Sequence, residues 1–524
     1  MTTPAPAAAG GPRTGTAAGL PPAVLLLVAG IVVLWSALPA LLQTVPHADN
    51  VEQLGWAHSL EWGYMKHPPL PTWLLHGAVA LFGPSALLTY TLAMLCAGAA
   101  LLIVWAAARP LLGEAGALLA LAVTAGDYYL MGRGSFLNHN TVMLPFVAAS
   151  AWAVLRIVAA APRPGERTDR PPAQGPQRRP HDWRPWLLLG LLQGLGLLTK
   201  YQMAVVIAAN ALALLSCGAW RQPGFVRNAL LACLATATPL APHLLWLQSH
   251  DFSTFNYAGH SLLAALPFTQ RLTHTLGFLV QQVGRLAPAA LVLGLALRAA
   301  PQGSGGTGAS AVDTTALRAL AILALTPLAL VVLLSLVAGV APQKHWGATT
   351  TLLLPLLATT LVLARRSGAA PARRPALLAC LLVQALAVAW NVGAAVANPA
   401  FHHRFAAEGL ARQAQEYWHA NAPGEIHVVI GPDWEAGAIG LLLPARPAVM
   451  ASGQRAQAPW ITDEQITRCG ALVLWRPETP PLDQVGPDFA ARVQDVTLLE
   501  AMGPGSGTSR LQAGIIAPLD EGCP

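Results

Sequence analysis

The chain has 524 residues, of which 54% are hydrophobic and only 10% are charged. A water-soluble domain carries about 25% charged residues, so charges this sparse exclude a soluble protein of ordinary composition. The net charge is +7, and the basic residues lie in particular loops. This distribution is typical of residues that orient a protein in a membrane, and it argues against nucleic-acid binding.

Apolar segments recur along most of the chain. Residues 1–19 are rich in Ala, Pro, Gly and Thr, and we expect them to be a disordered cytoplasmic N-terminus. Eleven segments follow, each near the length of about 20 residues that a membrane-spanning helix needs. We therefore predict an all-α polytopic membrane domain over residues 20–398. The segments are 20–42, 86–108, 111–130, 140–160, 185–200, 202–218, 226–247, 275–297, 316–339, 347–364 and 375–397.

Arginines mark every second connection between these segments. If the helices alternate in direction, all of these connections lie on one side, and the positive-inside rule makes that side the cytoplasm. The N-terminus is then cytoplasmic in a bacterial inner membrane. The connections expected to face the periplasm are 43–85, 131–139, 199–201, 248–274 and 340–346.

The chain changes character after residue 398. Residues 401–420 have the periodicity of an amphipathic helix, and three short apolar runs are typical of buried strands. We expect residues 399–524 to form a small periplasmic α/β domain, in which Gly431–Trp434 is a turn without a catalytic role. The predicted strands are 426–430, 471–475 and 513–517.

The six cysteines show no metal-ligand spacing, and no metal or other cofactor is indicated. Cys469 and Cys523 lie in the predicted periplasmic domain. They either form a disulfide there or remain free thiols.

The first periplasmic connection is unusually long and dense in Trp, His and acidic residues. Val51, Leu54 and Ala57 recur at helical spacing, which predicts a helix lying along the membrane interface and stopped by Pro68-Pro69. Burying polar side chains at the membrane surface costs free energy, so we expect the polar residues of this connection to have a functional role.

Several residues of this connection form a recognisable pattern. Asp49, the Trp62-Gly63-Tyr64 triplet and His67-Pro68-Pro69-Leu70 follow one another at a spacing that resembles the first outer loop of the polyprenyl-phosphate-sugar glycosyltransferases. These are the protein mannosyltransferase and aminoarabinose transferase superfamily, which has the GT-C fold. Weaker similarities lie at Leu198-Thr199-Lys200-Tyr201 and at Lys344-His345-Trp346, and the resemblance covers roughly residues 20–360.

The resemblance implies an inverting transfer of a sugar from undecaprenyl phosphate to lipid A, another glycan or a protein. The attacking hydroxyl group needs a base, and the departing phosphate needs cations. Asp49 is the candidate base, with an N-cap role as its structural alternative. The candidate phosphate-binding residues are His67, Lys200, Lys66 and Lys344, and the other candidate substrate-binding residues are Asn50, Glu52, Tyr64, His139, His345 and Trp346.

Two positions depart from the family pattern. Asn50 stands where relatives have an acid after the Asp, and Asn138-His139-Asn140 stands where relatives often place a second Asp. The departures indicate altered acceptor chemistry or a distinct subfamily.

Two other classes of protein share some of these features. A transporter or flippase for a lipid-linked sugar has similar helices and polar groups, but such proteins tend to show internal repeats and broken helices, and the sequence shows no repeat. A non-catalytic assembly or polymer-binding protein would act through the C-terminal domain.

Overall fold

The computed structural model describes residues 20–161, 182–259, 266–299, 312–365, 373–504, 507–519 and 523. The predicted disordered N-terminus lies outside the described residues, as does most of the arginine-rich connection after residue 161, which the sequence predicts to be cytoplasmic.

Helices dominate the described part of the chain before residue 398. Many of the longer ones match predicted apolar segments to within a few residues. They are α1 (Pro22–Leu42), α2 (Ala48–Trp56), α3 (Leu70–Phe82), α4 (Ala86–Ala125), α5 (His139–Ala159), α6 (Arg184–Leu197), α7 (Met203–Ser216), α8 (Phe225–Ser249), α9 (Ser253–Gly259), α10 (Phe268–Arg298), α11 (Thr314–Ala338), α12 (Gly347–Thr350), α13 (Leu354–Arg365) and α14 (Arg373–Ala397).

Seven of the described helices are long and apolar enough to cross a membrane. An eighth span results if Lys344–Thr350 and Leu354–Arg365, bent by 49° relative to each other, cross together. α4 is interrupted at Gly113, whose φ of 66° and ψ of −177° leave the helical region, close to where the second and third predicted segments meet. The polytopic helical fold is confirmed, and the count of eleven spans stays a prediction.

The first predicted periplasmic connection contains two helices rather than one. α2 ends at Trp56, so the prediction that it continues to Pro68 was wrong. The backbone beyond α2 is held by side chains instead, since the Trp73 indole N–H donates to the Glu61 carbonyl oxygen at 2.7 Å. The unpredicted helix α3 begins directly after Pro69.

The residues after 398 form a mixed five-stranded sheet in the order β2-β1-β3-β5-β4. β1 pairs in parallel with β2 and β3, and β5 pairs antiparallel with β3 and β4. The predicted small α/β region is thus confirmed as a fold. The strands are β1 (Val428–Gly431), β2 (Ala448–Ala451), β3 (Ala471–Trp475), β4 (Gln494–Met502) and β5 (Thr508–Ile516).

Six short helices accompany this sheet among the described residues. The single helix predicted over residues 401–420 is divided, because the Ala406 N–H donates to the Ser509 hydroxyl oxygen at 3.0 Å rather than to a helix carbonyl. The helices are α15 (Phe401–Arg404), α16 (Ala407–Asn421), α17 (Asp433–Leu442), α18 (Asp463–Cys469), α19 (Pro481–Val485) and α20 (Pro487–Ala490).

Cys469 and Cys523 form a disulfide, with their Cα atoms 5.2 Å apart. Of the two alternatives left by the sequence, the structure contains the paired one. The bridge attaches the end of the chain to the last residue of α18.

The C-terminal domain rests on the first outer loop. The Trp434 indole N–H donates to the Pro46 carbonyl oxygen at 2.8 Å. Gly437 of α17 faces α2 so closely that an added Cβ would lie 2.2 Å from Val51 Cγ1. Because only glycine permits this approach, the two helices pack without an intervening side chain.

A buried ion pair joins α10 to the loop after α4. Arg285 Nε lies 2.9 Å from Asp127 Oδ1, and Nη2 donates to Oδ2 at 3.1 Å. The side chains are only 8% and 3% exposed. The guanidinium also donates to the Thr351 hydroxyl oxygen, so one cation fastens three parts of the helical domain.

We predict that Asp127→Ala destabilises the protein by about 3–5 kcal/mol, because it leaves the buried Arg285 without a counter-charge. The measurement is thermal unfolding of the purified protein in detergent. The double variant Asp127→Leu, Arg285→Leu should lose much less, since no unpaired charge remains. The exposed Asp463, which pairs with Arg455 at 2.8 Å, supplies the control Asp463→Ala with a loss below about 1 kcal/mol. Equal losses in all three variants would contradict this account.

Candidate functional site

Asp49 occupies the first turn of α2, where the partial positive charge of the helix N-terminus favours a carboxylate. The helix is capped by His47, whose Nδ1 accepts from the Asp49 backbone N–H at 3.3 Å. Asp49 is therefore not the capping residue. Its Oδ2 accepts a hydrogen bond from Asn138 Nδ2 at 2.8 Å, while its side chain stays 41% exposed. The carboxylate is thus held in place and accessible to a substrate.

Asn138 and Asn140 connect Asp49 to Lys200. Asn138 Oδ1 caps α5 by accepting from the backbone N–H groups of Asn140 and Thr141. Asn140 Oδ1 accepts from Lys200 Nζ at 2.9 Å. The amides at the positions where the family pattern has a second acid therefore hold Asp49, the candidate base, and a lysine in one array.

Lys200 lies in the tight turn between α6 and α7, and its ammonium sits 5.3 Å from the centre of the Trp346 ring. Burial lowers the pKa of Lys200 to about 7, and attraction to Asp49 opposes this only in part. The partner of the ammonium is an amide rather than a carboxylate, so its positive charge is not neutralised by direct contact. An anionic ligand would gain most from this cation.

The His67 and His139 rings contact each other, with their centroids 3.9 Å apart and their planes tilted by 39°. Burial, together with the positive charges of Lys200 and Lys66, holds the pKa of His67 well below its usual range. His67 is consequently neutral at pH 7 and could give an anionic ligand a hydrogen bond but not a positive charge.

Lys66 differs from Lys200 in its partners. Its Nζ lies 2.6 Å from Glu52 Oε1 and 3.8 Å from Asp433 Oδ2. Burial by itself lowers the pKa of Lys66, but Glu52 and Asp433, together with Tyr257, more than offset this, and the net pKa is raised. Lys66 remains charged and is already paired. Asp433 belongs to the C-terminal domain and was not predicted as a site residue.

Two of the predicted substrate-binding residues make their contacts within the protein. Asn50 is fully buried, and its amide donates to the Thr89 hydroxyl at 2.8 Å and to the Ser135 carbonyl oxygen at 3.2 Å. The Tyr64 hydroxyl donates to the Ser59 carbonyl oxygen at 2.6 Å. Both residues fix the shape of the outer loop.

The last predicted group forms a short 3-10 turn, Lys344–Trp346. The Trp346 carbonyl oxygen accepts from Gln202 at 3.1 Å, and this bond places the Trp346 ring beside Lys200. Lys344 is exposed. No ion pair or hydrogen bond found in the described ranges links its side chain to the other site residues.

Sequence reasoning missed the second layer of this site. The Tyr129 hydroxyl bonds to the Thr141 hydroxyl at 2.7 Å, and the Tyr129 backbone N–H donates to Asp127 Oδ1 at 2.9 Å. The Asp127–Arg285 ion pair is thereby connected to the end of α5. The available signal was the pair of charges inside apolar segments, which are rare unless they have a role.

The fold and this polar cluster define a polytopic membrane protein with an accessible carboxylate and a poorly neutralised lysine on one face. Comparison with known proteins supports the assignment to polytopic membrane proteins. Residues 66–164 and 177–246 match the family model described as dolichyl-phosphate-mannose-protein mannosyltransferase. The structure resembles the crystal structure of ArnT from Cupriavidus metallidurans bound to undecaprenyl phosphate, with a TM-score of 0.60, 14% identity, and coverage of 96% of this chain and 99% of that one.

Two curated relatives come from Rhizobium johnstonii. The lipopolysaccharide core galacturonosyltransferase RgtA is 27% identical over 213 residues, which are 39% of this chain and 38% of that protein. The lipid A galacturonosyltransferase RgtD is 26% identical over 215 residues, which are 40% of each. The chain thus matches about two fifths of the length of these relatives. The predicted resemblance to GT-C glycosyltransferases is confirmed.

We predict that Lys200 loses its proton near pH 7 and that Asn140→Asp moves this titration upward by about 1–3 pH units, because the new carboxylate favours the charged ammonium. Only the neutral amine reacts with acetic anhydride, so mass spectrometry of acetylated peptides measures the titration. The chain has three lysines, and the exposed Lys344 serves as the reference. Lys200 should become reactive at lower pH in the wild type than in the Asn140→Asp variant, with the extent of Lys344 modification used to normalise the two samples. The assignment fails if Lys200 reacts over the same pH range in both proteins.

Proposed function

We propose that the chain is a membrane glycosyltransferase, which moves a sugar from a polyprenyl-phosphate donor to an acceptor at the periplasmic face. The observation that carries the proposal is the array in which Asn138 and Asn140 join the Asp49 carboxylate to the Lys200 ammonium. The matched family, the named activities of RgtA and RgtD, and the undecaprenyl phosphate bound by ArnT support this reading.

In this mechanism Asp49 accepts the proton of the acceptor hydroxyl group. The hydroxyl oxygen forms a bond to the anomeric carbon, and the bond from that carbon to the phosphate oxygen breaks. The electron pair leaves with the polyprenyl phosphate, whose negative charge Lys200 stabilises while His67 donates a hydrogen bond. Attack from the face opposite the phosphate inverts the configuration at the anomeric carbon.

The proposed donor is undecaprenyl phosphate carrying a sugar, and the proposed acceptor is lipid A or another glycan, with a protein as the less favoured choice. The names of both Rhizobium relatives, a lipid A transferase and a lipopolysaccharide core transferase, favour a lipopolysaccharide acceptor. Lys66 and Lys344 are the further proposed phosphate-binding residues. Glu52, His139, His345 and Trp346 are the further proposed substrate-binding residues.

The proposed topology places the N-terminus in the cytoplasm and the catalytic face in the periplasm. Residues 20–398 form the transmembrane domain, and residues 399–524 form the periplasmic domain. Arginines in alternate connections support this orientation through the positive-inside rule. A lipid-linked donor suits a site on the side of the membrane where nucleotide sugars are absent.

We expect Asp49→Asn to lower the rate of sugar transfer by about 10²–10⁴-fold, because the amide cannot accept the proton while it still fills the space of the carboxylate. The assay uses membranes of expressing cells and a panel of labelled undecaprenyl-phosphate sugars. Glu61→Gln is the matched control, since Glu61 is a carboxylate of the same loop whose Oε1 accepts from the Ser59 hydroxyl at 2.7 Å.

Folded wild-type protein that consumes no donor from the panel would overturn the proposal. Movement of labelled lipid across the bilayer without sugar transfer would then support the transporter or flippase. An Asp49→Asn variant as active as the Glu61→Gln control would remove Asp49 from the mechanism and leave the transferase in place.

A further inference from the structure

The C-terminal domain contains a cavity of about 880 Å³ outside the array around Asp49. This volume lies within the range of about 300–1,000 Å³ that small-molecule sites occupy. It combines aromatic rings, carboxylates and guanidinium groups. The cavity is lined by Phe405, Trp434, Glu435, Arg476, Glu478 and residues 508–511.

Glu435 is the most unusual group in this cavity. Its side chain is only 3% exposed, and Oε1 accepts from Arg476 Nε at 2.6 Å. Its other oxygen, Oε2, has no hydrogen-bond partner in the described part of the chain. A buried carboxylate oxygen without a donor is costly, so a ligand that supplies an O–H or N–H group here would be favoured.

Arg476 gives the cavity donors to match this acceptor. Its side chain is 55% exposed although its Nε is bonded to Glu435. Pairing with Glu435 raises the pKa of Arg476, so the guanidinium is always charged. Its planar set of N–H groups suits neighbouring oxygens on one ligand.

Trp434 adds an apolar ring beside these polar groups. Its ring lies 5.0 Å from that of Phe405, and its N–H is fixed on the Pro46 carbonyl oxygen. A ring face next to a carboxylate and a guanidinium matches a pyranose, which has an apolar C–H face and hydroxyl groups at its edge. Two acids and two arginines line the cavity, a balance that suits a polyhydroxylated ligand better than a polyanion.

The cavity also lies close to the proposed base. Pro46 precedes Asp49 by three residues, and three residues span at most about 11 Å. Trp434 thus connects the cavity wall to the backbone just before Asp49, so an acceptor glycan bound in the cavity would lie beside the loop that carries the proposed base.

We propose that this cavity binds sugar residues of the acceptor glycan, at a distance from the residue that receives the new sugar. The inference rests on the proposed function for the identity of the glycan as acceptor. The carbohydrate-binding chemistry follows from Glu435, Arg476 and Trp434 alone.

The test is binding of the oligosaccharide from de-acylated lipopolysaccharide to the full-length protein in nanodiscs, measured by calorimetry. Glu435→Gln keeps an oxygen for Arg476 but replaces the unsatisfied acceptor with a donor, so binding should weaken about tenfold. Thr508→Trp places an indole in the cavity and should weaken binding at least as much. Arg455→Ala, which removes an exposed ion pair of the same domain lying outside the cavity, should bind like wild type.

Wild-type protein that fails to bind the oligosaccharide would overturn the inference, and so would Glu435→Gln and Thr508→Trp variants that bind as wild type does. Sugar transfer measured on the same preparations separates the two proposals. If oligosaccharide binding depends on Glu435 but no sugar is transferred, the proposed function is wrong and the cavity assignment stands. If the wild type transfers sugar but neither variant changes oligosaccharide binding, the cavity assignment is wrong and the proposed function stands.

Discussion

The arrangement of the candidate site depends on one amide group, that of Asn138. Its oxygen caps α5, and its nitrogen donates to Asp49, so it needs an acceptor and a donor on the same side chain. A carboxylate at this position could cap the helix equally well but would repel Asp49. The departure from the family pattern at residues 138–140 therefore supplies a hydrogen-bond donor that holds the Asp49 carboxylate in place. In this chain the two outer loops are joined by the amide.

The contacts of the candidate phosphate-binding residues show which of them is best suited to bind an anion. Lys66 is in contact with Glu52 and near Asp433, so a phosphate would have to compete with carboxylates for it. His67 is kept neutral by burial and neighbouring positive charges. Of these three residues, only Lys200 is buried against an amide and an aromatic ring. A negative ligand would attract the Lys200 ammonium without having to displace a carboxylate from it. Because the Lys200 ammonium is removed from water and has no carboxylate partner, its charge is costly in the free protein. For the same reason, it would attract a bound anion strongly.

The bilayer explains why the sequence predicts so much of the fold. Membrane-spanning helices need long apolar stretches, so segments such as 20–42 and 226–247 are visible in composition alone, as is the buried strand β3. Edge strands β2 and β4 were missed because they are short or partly exposed. Asp49 and His67 were predicted as site residues from a local motif. Asp433, Asp127 and Arg285 were not predicted. Each forms an ion pair with a residue more than 150 positions away along the chain, and no local motif indicates such a contact.

The contact between α17 and α2 joins the C-terminal domain mechanically to Asp49. Gly437 packs on Val51, and Trp434 bonds to Pro46, so both sides of the α2 N-terminus are restrained by one helix of the sheet domain. A shift of α17 would displace the residues that precede Asp49, and it would also move Asp433 relative to Lys66. Trp434 and Glu435 of the cavity wall belong to α17, so a ligand bound there would contact the same helix that restrains the residues before Asp49, the proposed base. The C-terminal domain is thus part of the scaffold of the site, although its sequence carries no motif that indicates this.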